Sequence, residues 1–370
     1  MIKPKSFPVI TVAVGSLIAL ASLSAGYASN SIASTSNVSI AVPSACRQSY
    51  KAYAVSKSFL RACGDSIVPL RRVKELPGHG KAYIYDAGGF RAVTRIPPRG
   101  FEPKRASAGK LAQYGYPPRP SGGQALRSWT TMVQGTHFIT PPKYLVTIPR
   151  HVNTHSAIWA GNVSYQCSGC NTYQDVYANW LEPHTGTVSC NSTGRSVWAG
   201  LGGWNTQTLA QAGTAVGEGS AGAGDHQAWY ELINPTTDRF VPVSGLYATV
   251  GGEFTAEVDR VSGGYYIFLK NDYTGDSNGG TTVTFQSYDG SHAEAIVEDP
   301  FGGVANGEYL RKFDQFEIED AEASRDGTHY HGLAWFDHLD VVMYYNQEMA
   351  HPGSAFNSGD SWYDNFDHCS

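Results

Sequence analysis

The sequence contains no H-E-x-x-H motif and no phosphate-binding loop, so it lacks the local patterns of zinc peptidases and nucleotide hydrolases. It is also poor in charge, because Asp, Glu, Lys and Arg make up only 16% of its residues, against 41% hydrophobic and 12% aromatic residues. This composition excludes disordered, collagen-like and coiled-coil proteins. The 370 residues leave room for two domains, or for one domain and a prosegment.

After the first 28 residues, no apolar run approaches the ~18 residues that a membrane helix needs. At the start of the chain, Lys3 and Lys5 precede an apolar run from Val9 to Ala25, and Gly26-Tyr27-Ala28 supplies the small side chains that a signal peptidase reads. We therefore expect residues 1–28 to be a signal peptide. The mature protein is expected to be secreted, extracellular and not bound to a membrane.

The net charge of −5 is unevenly distributed along the chain. Residues 29–150 carry 18 Lys and Arg against 4 Asp and Glu, a net of +14, whereas residues 151–370 carry 7 against 28, a net of −21. We interpret residues 29–150 as a basic prosegment and residues 151–370 as the working domain, with no nucleic acid as partner. Ion pairing would hold the two together at neutral pH, and protonation of carboxylates below about pH 4 to 5 would release the prosegment.

The two parts also differ in local pattern. Pro97-Pro98, Pro117-Pro118 and Pro141-Pro142 are expected to prevent long regular elements in the prosegment. From Ser156 onward, short runs rich in Val, Thr, Tyr and Trp are bounded by Gly, Asn and Asp, which is typical of strands. The predicted strands are 195–201, 227–233, 246–250, 254–260, 264–270, 281–287, 292–298 and 314–320. Many short strands without helical periodicity predict an all-β sandwich of two packed antiparallel sheets.

Six cysteines fit an oxidising compartment, in which disulfides persist. Cys46 and Cys63 would close a local loop in the basic part, and the other four (Cys167, Cys170, Cys190 and Cys369) allow three pairings. A zinc ribbon would need a second C-x-x-C, which is absent. The tail contains five histidines whose spacing matches no metal site, so we expect structural or surface roles and no metal. These are His329, His331, His338, His351 and His368.

An acidic strand is predicted at 292–298, where alternation places Glu294 and Glu298 on one face with Ile296 between them. Two such carboxylates repel and desolvate each other, so the pKa of at least one should rise. Charged residues are mostly exposed, and a solvent-facing strand is the commoner arrangement. Gln211, among small neighbours, is likewise more often a surface amide.

Four sequence blocks follow one another in a recognisable order. They are Ile158-Trp159-Ala160-Gly161, then Trp198-Ala199-Gly200-Leu201-Gly202-Gly203 leading into Ala210-Gln211-Ala212-Gly213, then Ala228-Trp229-Tyr230-Glu231-Leu232, and Ala293-Glu294-Ala295-Ile296-Val297-Glu298-Asp299. In content and order, these blocks resemble the glutamic peptidases, the eqolisin family of acid endopeptidases. The resemblance covers about residues 156–322 and leaves the tail after residue 322 as an extension.

The resemblance implies a concanavalin-like β-sandwich and a Gln/Glu catalytic pair, matched here by Gln211 and Glu298. Glu298 would act as general base and then acid on water, while the amide of Gln211 would stabilise the oxyanion. Trp159, Trp198, Glu231 and Glu294 match substrate-binding or supporting positions. No cofactor or metal is implied, and the expected partners of this monomer are polypeptide substrates and its own prosegment.

Three positions depart from the family pattern, since Gly202, Ala215 and Gln227 stand where the family has acids. Their loss puts the rate and the pH range in question. Two alternatives remain on the same sandwich. One is a lectin-like binding protein in which Trp159, Trp198 and Trp229 stack on a ligand. The other is a glucanase-like glycosidase that uses Glu294 and Glu298.

Overall fold

The computed structural model describes residues 66–147, 158–166, 170–184, 192–204, 206–217, 226–299, 309–345 and 347–368. The chain divides into two compact units, Met1–Ala41 and Val42–Ser370, and every described residue belongs to the second. The expected signal peptide at 1–28 lies outside the described residues. So do five of the six cysteines, namely Cys46, Cys63, Cys167, Cys190 and Cys369.

Within the described residues, the larger of two sheets has 15 strands. Along the main path of pairing, its strands are β21 (Met343–Tyr345), β22 (Gln347–Pro352), β23 (Trp362–Phe366), β18 (Phe316–Ser324), β7 (Asp175–Leu181), β12 (Glu253–Val261), β13 (Gly264–Asn271), β15 (Thr281–Thr284), β3 (Phe90–Ile96), β2 (Lys81–Ala87), β1 (Ser66–Glu75) and β5 (Tyr144–Thr147). Beside this path, β14 (Asp276–Ser277) pairs with β13 and with β4 (His137–Phe138), and β19 (Tyr330–Gly332) pairs with β18.

The smaller sheet has eight strands in the part of the chain that is described. Their order is β11 (Thr237–Ala248), β10 (His226–Asn234), β9 (Leu209–Gly217), β8 (Ser192–Gly202), β16 (His292–Glu298), β6 (Trp159–Tyr165) and β20 (His338–Val341), and β17 (Tyr309–Leu310) pairs in parallel with β8. The other pairings along this order are antiparallel. This architecture confirms the predicted β-sandwich.

Alternation along the strands separates two apolar cores. On β16, Ala293, Ala295 and Val297 enter a core that also contains Ala178 and Trp180 from β7 of the larger sheet. The intervening side chains of β16 face away from this core. All eight predicted strands coincide with or overlap observed ones, although the strand predicted at 281–287 ends at Thr284. Strands β6, β7 and β9 were not predicted, because small or polar residues obscure their alternation.

Residues 66–147 form strands and helices of at most 11 residues, and none of these elements crosses a proline pair. Strand β3 ends at Ile96, directly before Pro97, and pairs with β15, so these residues continue the larger sheet. Two α-helices follow, α1 (Ala108–Gln113) and α2 (Gly123–Val133), with short 3-10 turns at Pro103–Arg105 and, later, Leu333–Trp335. Prolines here limit the elements rather than abolish them.

Helix α2 packs on the outer face of the larger sheet. Trp129 and Met132 of α2 are buried in one apolar cluster with Tyr177, Tyr266 and Phe268 of the sheet. Neither described helix is long and apolar enough to cross a membrane.

Candidate active site

A row of four directly paired residues crosses the centre of the smaller sheet. Glu294 of β16 lies opposite Gly200 of β8, Gly200 lies opposite Gln211 of β9, and Gln211 lies opposite Glu231 of β10. Residues paired in this way project from the same face. Neighbouring strands are ~4.8 Å apart, so the backbones of Glu294 and Gln211 are ~10 Å apart. A Cβ at Gly200 would lie 2.9 Å from the Trp198 ring and 3.1 Å from a Leu209 methyl carbon, so these two side chains fill the space above Gly200.

The amide of Gln211 is fixed from one side. Its Nε2 donates a hydrogen bond to Oε2 of Glu231 at 2.6 Å, and only 1% of the residue is exposed. Among the described residues, Oε1 of Gln211 has no hydrogen-bond partner. An amide nitrogen carries two hydrogens, so the bond to Glu231 leaves one N–H for another acceptor.

Glu294 is fully buried and is held by the turn that follows β8. The backbone N–H of Trp204 donates to its Oε1 at 2.9 Å, while its Oε2 has no partner among the described residues. Gly203 makes this approach feasible, since it has φ +100° and a Cβ there would lie 3.1 Å from Oε2. Burial raises the pKa of Glu294 well above its usual value, and the nearby Glu298 and Asp289 raise it further against the opposing effect of the Trp204 N–H.

Glu298 lies on a different row, which contains Trp159 of β6 and Ser196 of β8. Its Oε2 accepts a hydrogen bond from Nε1 of Trp198 at 2.8 Å. Glu294 and Glu298 lie four residues apart on β16, so both project from the face of the sheet that carries Gln211.

Both glutamates are buried, at 0% and 3% exposure for Glu294 and Glu298, so the commoner solvent-facing arrangement does not apply. The reason is that β16 lies between β8 and β6 inside the sheet. Gln211 is also buried, so it is not the surface amide that its small neighbours suggested. The expected rise in the pKa of at least one carboxyl is confirmed for Glu294.

Tryptophans surround the two glutamates on this face. Trp159 packs edge-on against Trp198 with ring centroids 5.0 Å apart, and Trp204 lies 6.3 Å from Trp159. Trp229 packs against Phe240 at 5.0 Å. The sequence reasoning missed Trp204 and Gly200, although both lie within or next to a quoted block. Their importance depends on a turn and a cross-strand pairing that no single block reveals.

The departures from the family pattern have structural reasons. At Gly202, φ is +86° and a Cβ would lie 2.4 Å from the carbonyl oxygen of Thr208, so an aspartate would strain the backbone. Ala215 and Gln227 are paired across strands. Nε2 of Gln227 donates to the carbonyl oxygens of Val243 at 2.7 Å and Leu246 at 2.9 Å. This amide therefore has a structural role of its own.

Restoring the family acid by Gly202→Asp is expected to lower the free energy of unfolding by about 2 kcal/mol or more, through backbone strain and the clash with Thr208. Urea denaturation measures this loss. Gly263→Asp is the matched control, because Gly263 has φ +80° but nothing within 4 Å of a Cβ. Equal losses in the two variants would show that the clash does not matter.

A sequence pattern elsewhere resembles a serine nucleophile elbow. The run Gly275-Asp276-Ser277-Asn278-Gly279 fits G-x-S-x-G. Ser277 lies in the two-residue strand β14, is fully buried, and is followed by strand β15 rather than a helix. A nucleophile elbow needs an exposed serine between a strand and a helix, so this run is structural.

Among the described residues, one group of side chains could hold a metal ion, and it lies in the larger sheet, apart from the row of Gln211. Nδ1 of His351 lies 2.8 Å from Oε1 of Glu348 and 2.7 Å from Oδ2 of Asp367. Of the other tail histidines, His329 is exposed and pairs with Asp326 at 2.6 Å, and His331 stacks on Trp335.

Comparison with known proteins adds one match over much of the chain. Residues 157–350 match the peptidase A4 family. The chain is similar to the solved structure of scytalido-glutamic peptidase with a peptide-based transition state analog, at 21% identity and TM-score 0.44, and to SCP-B, an eqolisin in complex with the tripeptide Ala-Ile-His, at 19% and 0.43. Each comparison covers 57% of this chain and 98% of the other. No curated protein matches.

Proposed function

Because the chain belongs to the peptidase A4 family, the eqolisin family of glutamic endopeptidases, we propose that it is a secreted acid endopeptidase whose catalytic pair is Gln211 and Glu298. One observation supports this choice of pair. Nε1 of Trp198 donates to Oε2 of Glu298 at 2.8 Å, which orients this carboxylate on the face that carries Gln211. Glu294 is unsuited to act as a base in acid, because its raised pKa keeps it protonated there.

The proposed reaction needs no cofactor. The carboxylate of Glu298 takes a proton from water as the water oxygen attacks the scissile carbonyl carbon, and it returns that proton to the departing amine. The free N–H of Gln211 donates to the oxyanion of the tetrahedral intermediate. Glu231 orients this amide by accepting its other N–H. The substrates are polypeptides, and the amide remains a donor at acid pH because it does not titrate.

Glu294 then has a supporting role. Its Oε1 accepts the backbone N–H of Trp204 at 2.9 Å, so it holds the turn that follows β8. Trp159 and Trp198 form the apolar wall beside the pair. Low dielectric at such a wall strengthens the electrostatic contacts of the site.

Acid-pH proteolysis distinguishes this proposal from the two alternatives. The purified protein should cleave a denatured protein at about pH 3 to 5 in the presence of a pepsin-type inhibitor, and Gln211→Ala should abolish the cleavage. A lectin-like protein would bind glycan without cleaving any substrate. A glucanase-like enzyme would hydrolyse a polysaccharide, and that activity would survive Gln211→Ala.

We further propose that the protein is exported through the signal peptide at residues 1–28, stabilised by disulfides, matured by removal of a basic prosegment that ends near residue 150, and monomeric. The disulfide-bonded state of Cys170 supports an oxidising compartment. The contacts between the two parts include charge-assisted hydrogen bonds, such as the one from Nζ of Lys270 to the carbonyl oxygen of Gln134 at 3.0 Å. Incubation of the full chain between pH 3 and 7 tests maturation, and a chain left intact at every pH would refute it.

A further inference from the structure

A cavity lies on the larger sheet, whereas the row of Gln211 and Glu294 lies on the smaller one. Its volume is about 620 Å³, within the range of sites that hold a small organic molecule, about 300 to 1,000 Å³. The start of helix α2, strand β18 and the segments around Tyr330, Trp335 and Asp360 line it. The mechanism proposed above uses none of these residues.

Three carboxyl groups face this cavity, those of Asp320, Glu322 and Asp360. Glu322 is only 3% exposed, and its Oε2 has no hydrogen-bond partner among the described residues. By contrast, Asp320 accepts a hydrogen bond from Ser128 at 2.7 Å. An unpartnered buried carboxyl oxygen is costly unless a ligand donates to it.

The charge around the cavity is unbalanced. The pKa of Glu322 is raised to about 8, mainly by burial and then by Asp320 and Asp360, although Arg127, which also lines the cavity, opposes them. Burial also raises the pKa of Asp360. The arginine in the lining therefore does not offset burial and the neighbouring carboxyls. A cationic ligand would supply further positive charge.

The three carboxyls do not suit a bare metal ion. Within the described residues, Glu348, His351 and Asp367 form the one group whose ligand atoms are close enough together for a single ion, and none of them lines this cavity. An extended cation can contact carboxyls that one ion cannot bridge. The cavity also has a flat aromatic wall, since Trp335 is 60% exposed and stacks on His331 with ring centroids 4.0 Å apart and an angle of 12°.

We propose that this cavity binds an organic cation, with the guanidinium of an arginine side chain as the preferred head group. A guanidinium is planar and presents paired N–H donors, so it can donate to Oε2 of Glu322 while its face lies against the indole of Trp335. Cations over an indole are attracted by the ring itself. Asp320 and Asp360 add attraction at longer range. The site is formed in the chain that retains residues 66–147, because helix α2 contributes to its lining.

Calorimetric titration of the full chain with N-acetyl-argininamide at about pH 8 tests the proposal. Binding is expected, and Glu322→Gln should weaken it about 10-fold or more, because a charge-assisted hydrogen bond is lost. Trp335→Ala should weaken it about 3-fold. Lowering the pH to about 5 should also weaken binding about 10-fold, since Glu322 takes up a proton. Glu75→Gln, a change at an exposed residue on β1 outside the cavity, should leave affinity unchanged.

The neutral isostere N-acetyl-citrullinamide separates charge from shape, and it should bind at least about 10-fold more weakly. Equal binding of the two ligands would overturn the proposal, as would displacement by a neutral oligosaccharide or the absence of binding at 20 mM. Glu322→Gln preserves size, and Trp335 is mostly exposed, so both variants are expected to fold. Thermal unfolding verifies that they do.

Discussion

Replacing Glu298 by Gln is expected to lower kcat for peptide cleavage by about 10²- to 10⁴-fold, the range that a positioned general base contributes. Gln has the shape of Glu and can still accept the N–H of Trp198, but it cannot take a proton from water. KM should change little, since the carboxyl acts on water rather than on the peptide. Steady-state cleavage of a peptide at acid pH measures both constants.

The matched control is Glu294→Gln, which makes the same change four residues earlier on the same strand. Its loss should stay below about 10-fold at the optimum of each variant, because Glu294 accepts the backbone N–H of Trp204 and its raised pKa keeps it protonated in acid. If Glu294→Gln were the variant without activity and Glu298→Gln retained it, the base would be Glu294. Circular dichroism would verify that both variants are folded.

The protein should be more stable in acid than at neutral pH, with a melting temperature about 10 °C lower at pH 8 than at pH 5. The cause is a group of buried carboxyls in the larger sheet. Burial raises the pKa of Asp175 to about 7 and that of Glu322 to about 8, and it raises those of Glu257 and Asp259 well above their usual values. Tyr330 donates a hydrogen bond to Asp175.

The direction of this change of stability with pH follows from the linkage between folding and proton binding. In the unfolded chain these carboxyls ionise near pH 4, whereas in the folded protein they retain protons up to about pH 7 to 8. Between these limits the unfolded state loses protons that the folded state keeps, so stability falls as the pH rises. Below about pH 4 both states are protonated, and the contribution is constant. Glu182 has the opposite tendency, because His226 and Arg195 hold its pKa below the usual value despite burial, so its contribution is lost in strong acid.

Differential scanning calorimetry between pH 4 and pH 8 measures this dependence. Glu322→Gln should reduce the slope, because Gln has no proton to lose, and the exposed Glu75→Gln should leave it unchanged. A melting temperature that rises from pH 5 to pH 8 would contradict the linkage.

Strand β16 shows what the sequence reveals well. Its bounds of 292–298 and the shared face of its two glutamates were predicted, because Ala293, Ala295 and Val297 alternate with Glu294, Ile296 and Glu298. The rise in the pKa of Glu294 followed from the same pattern. Local alternation therefore determined the strand and its two faces.

The neighbours of β16 could not be predicted in this way. The position of Gly200 between Glu294 and Gln211 depends on the register of three strands, and register arises from pairing over long sequence distances. A central strand and an edge strand can also have the same alternation, so the burial of Glu298 was not visible. The resemblance supplied the blocks, but the pairing places both glutamates on the face that carries Gln211.

A double-mutant cycle on Gln211 and Glu298 tests the proposed pair most directly. If the two groups act on one water and one oxyanion, Gln211→Ala and Glu298→Gln should each remove most of the activity, and the double variant should lose little more than the worse single variant. Values of kcat/KM at the pH optimum of the wild type provide the comparison. Losses that multiply in this double variant would contradict the assignment of Glu298, as would non-additivity between Gln211 and Glu294 in its place.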